Sequence, residues 1–175
     1  MKGLYLCAFY ARHNDYDIVY NDVDEKTKPD LLCDALEVDL KPYDFIIATP
    51  PCNFWSHAHS EKQCGEYALK TKHLLPDLLI KLAETGKPFI VENVRNVPRM
   101  KKYGIFDIAS KYGLYIQFVG RHTYFTNIFC CLDEHQKKDF RTHGIHLNTT
   151  KNAQGGENVH KVIENWLANS VNFFI

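Results

Sequence analysis

The chain has 175 residues, with hydrophobic residues at 45% and charged residues at 24%. That length and balance fit one globular domain with a real core and exclude a disordered or fibrous class. Lys+Arg at 21 equals Asp+Glu at 21, so no whole-chain basic excess marks a protein that grips many phosphates; nucleic-acid contact would have to be local. Six cysteines are present: Cys7, Cys33, Cys52, Cys64, Cys130 and Cys131. No signal peptide precedes the first strand-like run, and no apolar stretch is long enough to span a bilayer. The expected setting is a cytoplasm with free thiols, and no membrane partner.

In chain order, Leu4 to Phe9 reads as a first strand and Asp17 to Tyr20 as a second. The link between them, Tyr10 to Tyr16, carries no glycine. It is too short for the helix of a βαβ crossover, which takes roughly a dozen residues or more. Asp22 and Asp24, after the second strand, stand where acids of nucleotide-binding α/β folds accept hydrogen bonds from ribose; the plain alternative is a turn acid.

Phe45 to Ala48 is a short apolar run, the pattern of a strand buried in a parallel sheet. Pro50 and Pro51 fix φ and cannot donate to a ladder, so the strand stops there. Cys52 follows, at the carboxyl end of a central strand, where open α/β sheets place their ligands. The position after two prolines, near a helix start, predicts a lowered thiol pKa. Asn53 to Gly65 is polar. Phe54 and Trp55 within it would stack on a ligand or anchor the loop. The spacing of Cys52, His57, His59 and Cys64 matches no zinc pattern, nor does that of Cys130, Cys131, His135, His143 and His146, so no metal is expected.

Glu66 to Thr85 reads as a crossover helix with Leu69, His73, Leu74, Leu78, Leu79 and Leu82 on one stripe. Pro76 kinks or divides it, and Gly86 caps it. Phe89, Ile90 and Val91 form the next strand, ending in Glu92 and Asn93. Neighbouring strands would set Cys52 and Glu92 side by side. Arg95 to Lys102 is a basic run, suited to phosphates or to a solvated loop. A helix is expected over Ile105 to Tyr112, then strands over Tyr115 to Val119 and Tyr124 to Phe129, with Gly120-Arg121-His122 at or near the turn. Asp133 to Arg141 reads as helix, 143–156 as loop, and Asn158 to Asn169 as a last amphipathic helix.

Pro50-Pro51-Cys52 after one strand, Glu92-Asn93-Val94 after the next, and Gly120 to Asn127 beyond them resemble the DNA cytosine-5 methyltransferases, especially short, phage-type members. The resemblance covers about Leu4 to Asn127. It implies a Rossmann-like α/β methyltransferase fold with a mostly parallel sheet, S-adenosylmethionine as cofactor, and DNA as substrate. It assigns catalysis to Cys52, Glu92 and Arg121. It assigns cofactor binding to Phe9, Asp22, Asp24, Asp34 and Pro50, with Asp34 contacting adenine where a helix cap is the plain alternative. It assigns substrate contacts to Pro51, Asn93 and Trp55, although Asn93 also suits a tie between loops. The family's glycine-rich first loop, target-recognition insertion and closing motif are not recognisable. Three readings therefore remain open: a minimal DNA methyltransferase with a partner subunit for target recognition, the same C5 chemistry on a free pyrimidine nucleotide, and a non-catalytic module that binds nucleic acid or a partner. In each, residues 1–175 form one domain, with 1–129 as core and 130–175 as a tail; if phage-encoded, it works in the host cytoplasm.

Overall fold

A computed structural model describes residues 1–13, 15–58, 60–130, 132 and 154–170. A seven-stranded sheet runs through the molecule in the order β3-β2-β1-β4-β5-β7-β6. Its strands are β1 (Lys2–Leu6), β2 (Asp17–Asp22), β3 (Leu31–Leu32), β4 (Phe45–Ala48), β5 (Phe89–Val94), β6 (Tyr115–Val119) and β7 (His122–Thr126). Strands β3, β2, β1, β4 and β5 are parallel, and β7 joins β5 antiparallel, followed by β6. This is the Rossmann-like, mostly parallel α/β architecture expected from the sequence, and both faces of its central strands are buried.

The first strand stops at Leu6 rather than Phe9. Cys7 and Phe9 adopt φ of 54° and 50°, a left-handed backbone that cannot continue a ladder. The apolar side chains of residues 7–9 had concealed that turn. Strand β3 carries no sequence period and was not foreseen; Asn21, fully buried, fixes it by donating from Nδ2 to Leu31 O and Cys33 O.

The expected long helix is two: α1 (Glu66–Thr71) and α2 (Leu74–Thr85). Pro76 lies in the first turn of α2, where its missing N–H leaves no bond unmade. The break at Lys72–His73 takes Leu69 and His73 off the core stripe, and both are exposed. Gly86 ends α2 with φ of 67°. Helices α3 (Val97–Lys102) and α4 (Ile105–Lys111) follow β5, so the basic run is largely helical. Strand β5 runs on through Glu92 and Asn93 because β7 pairs with it, and β7 accordingly starts at His122, two residues before the expected Tyr124. The hairpin turn is Gly120-Arg121, with Gly120 at φ 56° in its first position.

Two apolar layers flank the sheet. On one face α2 and α4 pack Leu75, Leu78, Leu79, Leu82, Ile105 and Ala109 against Leu4, Leu6, Ile46, Val91 and Phe125. The other face, left without a crossover helix by the short β1–β2 link, is covered by the last helix, α5 (Gln154–Ser170). It sets Val162, Ile163, Trp166 and Leu167 on Tyr5, Ile18, Phe45, Ile47 and Tyr124. Helix α5 begins before Asn158, taking Gly155 and Gly156 from the segment read as loop. The helix expected over Asp133 to Arg141 lies outside the described residues. Trp166 is fully buried and donates from Nε1 to Thr126 Oγ1 at 3.2 Å. Replacing Trp166 with Ala should cost about 3–5 kcal/mol in urea-monitored unfolding. Wild-type stability in that variant would mean that α5 does not seal this face.

Candidate active site

The carboxyl ends of the parallel strands gather the chemistry-bearing residues. In the β4–β5 register Ala48 lies opposite Val91, so the chain leaving β4 runs over Pro50, Pro51 and Cys52 beside Glu92 and Asn93. Asn93, fully buried, donates from Nδ2 to Pro50 O at 2.9 Å. Further on, Asn96 Nδ2 donates to Trp55 O at 2.9 Å, and Arg99 Nη1 donates to Phe54 O and, at 2.9 Å, to Ser56 O. His57 Nε2 meets Arg95 O at 2.9 Å. The segment after Glu92 thus holds the cysteine loop through that loop's own carbonyls, which have no ladder to pair with.

This clamp corrects two expectations. Arg99, read as a possible phosphate contact, is buried and points inward at carbonyls, its guanidinium 5.4 Å from the Phe54 ring centre. Lys102 pairs with Glu61 at 2.6 Å, which also accepts from Tyr103. Trp55, read as a substrate contact, is 1% exposed and packs edge-on to Phe54 and Tyr103, so it anchors the loop and offers no open ring face.

The Cys52 thiol is partly buried, and the expected low pKa is overturned. Burial first, and the nearby Glu92 carboxylate second, push it up to about 11. No helix start lies at Cys52 to offset them: a turn follows, closed by Ser56 N donating to Cys52 O at 2.8 Å. Glu92 is 9% exposed and bonds His122 Nδ1 through Oε1 at 2.6 Å. The sequence places His122 at or near the turn, and only the β5–β7 register reveals this contact. Tyr124 opposes Glu92 in the β5–β7 ladder, and the Tyr5 and Tyr124 hydroxyls are pushed up mainly by burial and further by that carboxylate. Arg121 is exposed in the hairpin turn next to His122, and its carbonyl accepts from Arg95 N at 2.6 Å.

A second group lies one and two strands away. Asp22 accepts from Phe9 N through Oδ2 at 2.8 Å and from Asp24 N through Oδ1 at 3.0 Å. Arg12 reaches across, donating to Ala11 O at 2.6 Å, Thr27 O at 2.9 Å and Lys28 O at 3.0 Å, with its guanidinium 4.6 Å from the Tyr20 ring centre. These bonds hold the glycine-less loop in the left-handed turns at Cys7 and Phe9 that glycine would adopt freely. Asp24 caps the short helical turn at Glu25–Thr27, and Asp34 accepts from Leu36 N at 2.8 Å, so both do the local work of turn acids. Among the described residues, no group of three His, Cys, Asp or Glu side chains could hold a metal ion. Nor is any helix among them long and apolar enough to cross a membrane.

A mostly parallel α/β sheet with a thiol and a carboxyl at the carboxyl ends of adjacent strands defines a Rossmann-like enzyme. The model of the C-5 cytosine-specific DNA methylase family matches residues 3–112, and the chain belongs to that family. By family it is a DNA cytosine-5 methyltransferase, a class that uses S-adenosylmethionine as methyl donor. The match takes in Cys52 and Glu92 and ends before β6, β7, Arg121 and His122. No curated protein matches the chain.

Alkylation by iodoacetamide, mapped by mass spectrometry, tests the electrostatics. Cys52 should react slowly at neutral pH, with a rate that climbs as pH rises toward 11. Glu92→Gln removes the second cause of the raised pKa, so Cys52 should then react several-fold faster at a given pH below that value. An unchanged rate would show that the carboxylate does not act on the thiol.

Proposed function

We propose that this chain methylates C5 of cytosine in DNA through a covalent bond between Cys52 and C6 of the base. The observation that supports this most is the pairing of Cys52 and Glu92 at adjacent strand ends, tied by the Asn93–Pro50 bond, in a chain of the cytosine-5 methylase family. A carboxyl and a thiol are the two groups that cytosine chemistry needs. C5 is a poor nucleophile until a thiolate adds to C6.

The Sγ proton leaves to solvent as the thiolate forms, a demanding step for a thiol at about 11. Sγ bonds to C6, the C5=C6 pair moves to C4=C5, and the C4=N3 pair takes a proton at N3 from Glu92. S-adenosylmethionine, when bound, supplies the electrophilic methyl group for C5. N3 returns its proton to Glu92 and the C5 proton leaves to solvent; the pair it leaves restores C5=C6 and expels Sγ, which regains a proton as the thiol. Arg121, exposed beside this edge, would bind O2 or a flanking phosphate. Pro51 would hold Cys52 against the base. A cytosine in a duplex has to be flipped out to reach Sγ.

The strand ends β1 to β3 suit the cofactor. Each Asp22 oxygen accepts one backbone bond and keeps a lone pair for a ribose hydroxyl. Asp24 and Asp34 add acceptors, Asp34 toward the adenine amino group. The Phe9 ring, 56% exposed, offers an apolar face, and Pro50 would line the boundary with the base. The zero formal charge supports a second reading, the same chemistry on a free pyrimidine nucleotide. A partner subunit supplying target recognition would reconcile that charge with DNA.

DNA containing 5-fluorocytosine tests the proposal, since fluorine at C5 blocks the final elimination. With the methyl donor present, a denaturation-resistant protein–DNA adduct should form and should vanish in Cys52→Ala. Adduct with a fluorinated free nucleotide but none with DNA would favour the second reading. Methylation that survives Cys52→Ala would refute the mechanism.

A further inference from the structure

Glu92 has to carry a proton when N3 needs one, yet Sγ has to lose its own nearby. One contact addresses that conflict. His122 sits diagonally across the β5–β7 ladder from Glu92, where Glu92 opposes Tyr124 and Val94 opposes His122. Nδ1 and Oε1 are 2.6 Å apart, and the two side chains are only 18% and 11% exposed. Two heteroatoms at that distance share a proton. Among the described residues, the Cys52 thiol and the Tyr5 and Tyr124 hydroxyls feel the Glu92 carboxylate, all with raised pKa, mainly through burial. Tyr124 also lies against the imidazole, ring centres 6.4 Å apart, and Arg121 adjoins His122 in the chain. Cys52 and the tyrosines are thus neutral near pH 7. Among the described residues, His122 is the side chain that hydrogen-bonds the acid.

We propose that His122 is a positioning residue for cytosine methylation that orients Glu92 and replenishes its proton; this rests on the methyltransferase reading. In the protonated pair Nδ1–H donates to Oε1. As N3 takes the proton from the carboxyl group, the Nδ1 proton passes to Oε1, so the acid is never left as an isolated anion under the base. The bare Nε2 takes a proton from solvent as Nδ1 gives its own up, so the imidazole stays neutral and ends protonated at Nε2. Electrons stay in place throughout; only protons move. The bond also fixes the tautomer: with Glu92 ionised and His122 neutral, the proton resides on Nδ1 and Nε2 is bare.

The first test is kinetic. His122→Gln keeps an amide that can donate a hydrogen bond but cannot relay a proton. It should lower kcat by about a hundredfold, leave KM for DNA within about twofold, and move the alkaline limb of the kcat profile to lower pH. His122→Phe, lacking the donor as well, should lose more. Unchanged kcat and pH profile, or a loss without any change in the profile, would overturn the proposal. The second test needs no turnover. Nitrogen-15 NMR of the free protein should show the Nδ1–H tautomer at His122, reverting to Nε2–H in Glu92→Ala. An active enzyme with Nε2–H at His122 overturns the pair alone. A protein with the Nδ1–H tautomer that methylates neither DNA nor a nucleotide overturns the methyltransferase reading, and with it the role of His122.

Discussion

The buried hydrogen bond from Asn93 to the Pro50 carbonyl is the constraint on which the site depends. Two prolines end β4 and leave the following chain without a ladder. An unpaired carbonyl there would carry a desolvation cost of about 1–3 kcal/mol. Asn93 answers it from the neighbouring strand, and Asn96 and Arg99 do the same for the carbonyls of residues 54–56. The loop bearing Cys52 is therefore fixed relative to the strand bearing Glu92. Geometry between the Cys52 thiol and the Glu92 carboxyl group follows from backbone satisfaction.

That arrangement has an electrostatic cost. The burial that fixes the loop raises the Cys52 pKa, and the Glu92 carboxylate raises it again. The resting protein carries a thiol, not a thiolate. In the proposed mechanism reactivity then depends on how charge is redistributed when a base enters, with proton exchange assigned to the Glu92–His122 contact. At the same edge of the sheet Asp22 and Arg12 hold a loop that has no glycine.

Much of this was legible in the sequence. The Phe45–Ala48 strand, the proline stop, the Gly86 cap and the thiol–acid pair all rest on local rules that tertiary contacts did not override. Other features were not. Cys7 and Phe9 look like strand residues because apolar side chains say nothing of φ. The inward direction of Arg99 depends on carbonyls more than forty residues away in the chain, at Phe54 and Ser56. His122 pairs with Glu92 only through the register of β7 on β5. The covering of the second sheet face by α5 likewise needs the fold, since a C-terminal amphipathic helix does not announce which face it seals.

A loop held by Asp22 and Arg12, in place of glycines, is proposed to form the methyl-donor site of this chain. Calorimetric titration with S-adenosylhomocysteine addresses it most directly. Micromolar binding to the wild-type protein is expected, with at least a tenfold loss, about 1.4 kcal/mol, in Asp22→Ala. Absence of binding at millimolar ligand, in a protein shown to be folded, would contradict it.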